Sequence, residues 1–249
     1  AMHHAALYIN GGGSLIQDVT SRRSLWFYLH NIRAAHKSGC KVQMYGCGIG
    51  PVLREEHRRL ASNVLNACVD VITLREPDSL KELQSMGVTK PEILLTADPA
   101  LTLPAAGADE IDSVLLRAGI PPHGKYLCFA LRNWKGFADK APLFGQAAKY
   151  AYETYGLTPV FTAVEKHLDP GAGRLAAAGL DIPHYFLDDA GNASTIIGAL
   201  SRMRVVVSMR LHALIFAAGQ GVPLAGVVYD PKVSAFLRYI GQENFRALD

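Results

Sequence analysis

"RVVVSMRLHALIFAAGQGVPLAGVVYDPKV", residues 204–233, sets an apolar run against an abrupt Arg-Leu-His and then follows it with a second apolar run. The first run does not alternate polar with apolar residues, as the strand of a half-exposed sheet would. It reads as a strand covered on both faces by helices, the pattern of parallel sheets. The helix-length "ALIFAAGQ" and the renewed strand pattern "LAGVVYD" complete a strand–helix–strand unit, and the class is α/β.

The same rhythm extends in both directions. Toward the N-terminus, "KYLCFALR", "LTPVFTAV" and "PHYFL" are further strands, each trailed by helical sequence. Earlier still, "ALYING", "KVQMYG", "DVITLRE" and "EILLTAD" alternate with amphipathic stretches at residues 21–38, 54–67 and 78–86. Between the two groups lie the Pro/Gly/Ala-rich "PALTLPAAGADE", one helix and "AGIPPHG". The expected organisation is two Rossmann-like lobes, residues 1–103 and 123–249, joined by a linker at 104–122 and hinged within 99–123. With four strands counted in the first lobe, an opening βα unit is expected to be missing from it.

The chain has 249 residues, 49% of them hydrophobic and 19% charged, enough for a sizeable core. A net charge of +3 is too mild to demand nucleic acid, so no nucleic-acid partner is expected. Cys40, Cys47, Cys68 and Cys128 lack CxxC spacing and fall mostly in apolar segments, which favours buried thiols and a reducing, cytoplasmic setting. No apolar stretch reaches the roughly 18 residues of a membrane span, and no signal-peptide pattern opens the chain. The opening "AMHH" is read as an expression scar, so His3 and His4 carry no functional weight.

In open α/β sheets, ligands bind outside the carboxyl ends of strands, so polar residues there are the informative ones. Arg210 and His212 stand where "VVVSM" gives way to a helix. Unpaired N–H groups and the positive dipole end favour an anion there, a guanidinium adds a fork, and an imidazole can move a proton near neutral pH. The plainer reading is a structural ion pair and a histidine satisfied by backbone. Arg132 ends "LCFALRNW" in the same way and could grip the same group, or make an ion pair between lobes. Lys232, in "YDPKV", is either a third cation or a solvated lysine after a proline turn. Gly11, Gly12 and Gly13 in "NGGGSLIQD" permit close ligand approach or simply make a tight turn. Asp18 could meet a sugar hydroxyl or cap the following helix. "CGIGP" and "TADPA" read as architecture, Arg75 and Glu76 as possible cleft residues beside a helix opening at Pro77, and Asp188 and Asp189 as ordinary partners of a helix dipole. HExxH, P-loop and GxSxG motifs are absent.

"SMRLHALIFAAGQGVPLAGVVYDPKVSAFL", with "INGGGSLIQD", "ITLREPDSLKELQSMGV", "TADPAL" and "FALRNW", resembles the polysaccharide pyruvyl transferases over nearly the whole chain. The likeness is to the bacterial type that ketalises a secondary cell-wall polymer precursor. It implies a glycosyltransferase-B-like fold with phosphoenolpyruvate as donor. The implied acceptor is a sugar or lipid-linked oligosaccharide, typically carrying N-acetylmannosamine, and the products are a cyclic pyruvate ketal and phosphate. Arg132, Arg210 and Lys232 would bind the donor, His212 would be the acid, and Gly11–Gly13 with Asp18 would lie toward the acceptor. No cofactor or metal is implied, phosphoenolpyruvate being a co-substrate. A lipid-linked acceptor would bring the protein to the inner membrane face. The family's opening strand with its Gly-Asp turn has no counterpart here. A nucleotide-sugar glycosyltransferase and a non-catalytic anionic-glycan module are the rival readings.

Overall fold

The computed structural model describes residues 5–19 and 21–248; His3 and His4 lie outside them. The chain divides into two compact units, Ala1–Pro99 and Ala100–Asp249.

The first unit runs β1 (Leu7–Asn10), β2 (Gly13–Ile16), α1 (Arg22–Lys37), β3 (Lys41–Ile49), α2 (Glu55–Cys68), β4 (Val71–Leu74), α3 (Pro77–Ser85) and β5 (Glu92–Leu95). The sheet order is β1-β3-β4-β5, with β2 also on β3, and every pairing is parallel. Strands are thus added in chain order toward one edge, and right-handed crossovers then put the helices on one face. Leu25, Leu29 and Ile32 of α1, Val64 and Leu65 of α2 and Leu83 of α3 meet Val42, Met44, Ile72 and Leu74 in a single core. On the opposite face Leu7, Ile9, Tyr45 and Leu94 remain 43% to 53% exposed.

The glycine run interrupts a strand, because Gly13 opens β2 and pairs with Cys47. In "CGIGP", Cys47–Ile49 complete β3.

A 3-10 turn, Pro99–Thr102, spans the division in the chain, and the second unit continues α4 (Ala108–Arg117), β6 (Tyr126–Ala130), α5 (Phe137–Tyr155), β7 (Thr158–Thr162), α6 (Pro170–Ala177), β8 (Tyr185–Leu187), α7 (Ala193–Ser201), β9 (Val205–Ser208), α8 (Leu211–Gly219), β10 (Leu224–Val228), α9 (Pro231–Tyr239) and β11 (Phe245–Ala247). Residues 104–122, expected to link two lobes, are part of this unit. Ile111, Val114, Leu115 and Ile120 pack into its core, because the apolar stripe of α4 has a face to bury.

The sheet order β11-β10-β9-β6-β7-β8 is parallel throughout, and counted from β6 it is the doubly wound order 3-2-1-4-5-6. Both faces are covered. Tyr126, Cys128 and Ala130 of β6 face one apolar cluster, and Leu127 and Phe129 the other, where Phe129 stacks on Phe161 at 5.4 Å. Truncating a side chain like Phe129, which is 1% exposed, costs about 3–5 kcal/mol.

Among the described residues no helix is long and apolar enough to cross a membrane. Burial pushes the Cys47 and Cys128 thiols up to about 12, which disfavours their thiolate forms near neutral pH.

Candidate functional site

In the doubly wound order the direction of winding reverses between β6 and β9, and the crevice for ligands lies beyond the carboxyl ends of those two strands. Ala130 ends β6, Ser208 ends β9, and the two are partners in the register. Arg132 and Arg210 each stand two residues past that pair. Buried Ser208 fastens the two ends together. Its hydroxyl accepts the Arg210 N–H at 2.8 Å and lies 3.1 Å from the Ala130 carbonyl, which also accepts the Met209 N–H at 3.0 Å.

Arg210 is the N-cap residue of α8, with extended backbone and no side-chain capping bond. Its nearest counter-charge is Asp169, with Nε 3.3 Å from Oδ2. Among the described residues none of its guanidinium N–H groups makes a hydrogen bond to protein, so its donors are unspent at a helix N-terminus. Arg132 spends one, from Nη1 to the Tyr229 hydroxyl at 3.1 Å. Its guanidinium also lies 5.3 Å from the Trp134 ring centre and 5.7 Å from that of Tyr229, and the two rings meet edge-on at 5.0 Å. Aromatic walls of this kind hold a cation in place while leaving its other edge open.

Both arginines act on one carboxylate. Asp169 is raised above the ordinary carboxylate range by its burial. Opposing that rise are the N–H of Glu165, the charge of Arg210, the N–H of Val164 and the charge of Arg132. Arg210 contacts this carboxylate directly, and Arg132 follows the adjacent strand end, two residues past the partner of Ser208.

His212 occupies the first turn of α8. Leu211 and every residue from Ala213 to Ala217 are buried, whereas His212 is exposed, its ring 6.0 Å from that of Phe216. Lys232, in the first turn of α9, is half-buried and pairs with Asp230, the residue that caps its own helix, at 3.2 Å.

The first-unit candidates differ. Asp18 does not cap α1; Ser21 does. Instead it accepts from the N–H groups of Leu53 and Arg54 at 2.8 and 3.1 Å and from His57 Nδ1 at 2.8 Å, with its side chain 1% exposed. Burial alone would raise Asp18; the Leu53 N–H, His57 and the Arg54 N–H outweigh it and hold the carboxyl below its usual range. As arranged, it is spent on the start of α2 and closed to a hydroxyl. Gly11 and Gly12 are exposed, and a side chain at Gly12 would come 3.5 Å from the Gly46 carbonyl. Arg75 is buried, held by Glu76, Asp98 and Ser14. Asp188 is taken by Arg174 and Asp189 by Lys166. No cluster of three or more His, Cys, Asp or Glu side chains suited to a metal ion occurs among the described residues.

Sequence reasoning missed Ser208, which reads as one more strand residue. It also missed Tyr229 and Trp134, aromatic residues in motifs noticed for their charges, and Asp169, which lies in a polar stretch with no apolar run to set it off.

The family model "Polysaccharide pyruvyl transferase" matches residues 3–231. No curated protein matches the sequence. Among solved structures, the chain is similar to a UDP-GlcNAc 2-epimerase from Neisseria meningitidis bound to UDP-GlcNAc, with 14% identity and TM-score 0.54, over 90% of this chain and 62% of that one. It is also similar to a protein from Listeria monocytogenes described as a UDP-N-acetylglucosamine 2-epimerase, with 13% identity and TM-score 0.59, over 96% of this chain and 61% of that one. These likenesses bear on the fold alone, two Rossmann-like units in succession, as expected of a glycosyltransferase-B-like chain. The chain spans about three fifths of the length of either relative.

Proposed function

The chain belongs to the polysaccharide pyruvyl transferase family, and from that premise we propose that it moves the enolpyruvyl group of phosphoenolpyruvate onto two hydroxyls of a sugar in a glycan precursor. The observation that carries this reading is the register: two arginines placed symmetrically past Ala130 and Ser208, one of them with both Nη groups unspent on protein among the described residues. A small molecule with a carboxylate and a phosphate presents two anionic groups to two cations.

In the proposed reaction a sugar oxygen bonds to the enol carbon while the methylene carbon gains a proton. His212, the exposed imidazole of the same helix N-terminus, supplies it. The second sugar oxygen then bonds to that carbon as its bond to the phosphate oxygen breaks. The two hydroxyl protons are accounted for by the new methyl group and the released phosphate. Arg210 and Arg132 hold the donor and stabilise charge on the departing phosphate, in a setting whose donors are already in place. Lys232 is kept as a further donor-side cation, tempered by its pairing with Asp230. Gly11–Gly13 remain the acceptor-side candidates of the first unit, with Asp18 ordering the neighbouring turn rather than touching sugar. N-acetylmannosamine on a lipid carrier is the proposed acceptor, and its lipid would bring the protein to a membrane face. No cofactor takes part in the steps proposed.

Phosphate release from phosphoenolpyruvate, dependent on an N-acetylmannosamine-containing acceptor, tests the reading. Release with acceptor and none without it is expected. The related fold that binds UDP-GlcNAc supplies the rival: stabilisation by UDP-sugars with no response to phosphoenolpyruvate would overturn the proposal in favour of a nucleotide-sugar transferase. Donor binding without turnover would leave a glycan- or anion-binding module.

A further inference from the structure

We infer that Asp169 is the positioning residue of the donor site, an immobile counter-charge that keeps Arg210 and Arg132 side by side with their hydrogen-bond donors turned to the ligand. The inference rests on the donor-site reading above and deepens it.

Two like charges at one crevice repel each other, and without a fixed anion at least one arginine would swing into solvent. Asp169 is built to prevent that. It is 2% exposed and stands at the N-terminus of α6, yet its side chain makes no bond to that helix's own N–H groups. Its Oδ2 turns back to accept the N–H groups of Val164 and Glu165 at 3.2 and 2.8 Å, which pins the carboxylate to the loop after β7. From there the same oxygen reaches Arg210 Nε at 3.3 Å. Contact through Nε leaves both Nη groups of Arg210 directed elsewhere, and no protein acceptor takes them among the described residues.

A second, independent observation points the same way. The other carboxylate oxygen, Oδ1, is buried with no hydrogen-bond partner among the described residues. A group present only to hold the loop would not carry an orphaned, desolvated oxygen, because an amide would make the same two bonds at lower cost. What the amide would lack is the negative charge, and the charge is what the arginines need.

The raised ionisation of Asp169, caused first by its burial, fixes the sign of a control. A carboxyl whose folded-state value is raised contributes stability below its unfolded value and loses it as pH rises through the folded one. Ionised Asp169 is therefore a cost to folding near neutral pH.

The experiment compares wild type with Asp169→Asn and Asp169→Ala. It reads three things: phosphate release against phosphoenolpyruvate concentration, thermal unfolding without donor, and the ¹⁵N–¹H signal of Arg210 Nε, assigned by its loss in Arg210→Lys. In Asp169→Asn the amide oxygen keeps the Val164 and Glu165 bonds, so Tm is expected unchanged or slightly higher at pH 8. KM for phosphoenolpyruvate rises about tenfold or more, the worth of one charge-assisted contact, with a smaller change in kcat. The Arg210 Nε proton shifts and exchanges faster. Asp169→Ala should lose donor affinity equally and lose Tm as well, which separates the loop from the site. An Asp169→Asn protein with wild-type KM and an unmoved Arg210 signal overturns the inference, as does one that loses Tm while keeping both. Should wild type fail to use phosphoenolpyruvate, the functional reading falls, and the Arg210 signal alone still decides whether Asp169 sets that side chain.

Discussion

His212 is the side chain on which the proposed chemistry turns. It is exposed in the first turn of a helix whose neighbouring residues, Leu211 and Ala213 through Ala217, are packed into the core, so substituting it removes an imidazole without opening a cavity. His212→Ala is expected to slow phosphate release by about 10²–10⁴-fold, the usual worth of a general acid. Stabilisation of the folded protein by phosphoenolpyruvate should persist, because Arg132 and Arg210 remain. A steady-state assay paired with thermal shift reads both, and an unaltered rate would strip His212 of the role. Arg132, Arg210 and His212 were legible in the sequence because a charge interrupts or closes an apolar run, and that contrast marks a strand end. Asp169 gives no such contrast in "EKHLDPGAG", and its role depends on β7 lying beside β6, a neighbour 32 residues away at Val160 and Cys128. Asp18 was legible as a polar group after a glycine run, but its partners Leu53, Arg54 and His57 belong to a later helix start, which no local pattern announces.

At the scale of elements, α8 holds the site by being apolar nearly all round. A helix of that kind must be buried, and its N-terminus then stays where β9 delivers it. Its last residue, Gly219, shows how closely it is packed: a Cβ there would strike the Leu101 carbonyl of the 3-10 turn. Gly219 has no positive φ, so close approach alone accounts for the glycine. Gly219→Ala is expected to destabilise by about 1–3 kcal/mol through overpacking. Calorimetry should show Tm falling by about 2–4 °C for each kcal/mol. A variant as stable as wild type would mean that the Pro99–Thr102 segment yields freely. The helix α4 carries a related lesson. Its setting among Pro, Gly and Ala made residues 104–122 look like a linker, yet its stripe of Ile111, Val114 and Leu115 is what attaches it to the second unit. The helix itself was legible in the sequence; that its apolar stripe docks on the second unit was not, because the residues it meets lie elsewhere in the chain.

At the scale of the whole molecule, both units hold carboxylates drawn below their ordinary range, but the lowered ones of the second unit, Asp181 and Asp189, lie on the surface and carry little stability, and its buried carboxylate, Asp169, is raised. Asp18 in the first is held low; it stabilises above its unfolded value near about 3.9, and the contribution is lost as pH falls through the folded value. Asp70, drawn down first by the Val42 N–H and then by Lys41, behaves in the same way. Asp169 in the second unit is raised and becomes least costly in acid. Acidification below about pH 4 is therefore expected to loosen residues 5–99 before residues 100–248, read as amide hydrogen exchange unit by unit, and Asp18→Asn should bring that loosening to higher pH. Simultaneous loss of protection in both units, unchanged by Asp18→Asn, would refute the assignment. The α/β class, the parallel sheets, the pair of Rossmann-like units and the strand ends bearing Arg132, Arg210 and His212 were determined by the sequence alone, because hydrophobic periodicity and its interruptions are local. Which strands lie side by side was decided only in three dimensions. Through that order came the partnership of Ala130 with Ser208, the shared carboxylate of Asp169 and the diversion of Asp18 to α2. Sheet order is set by crossovers that join residues tens of positions apart, and the free energy that selects it comes from burying both faces at once, a quantity no short window of sequence contains.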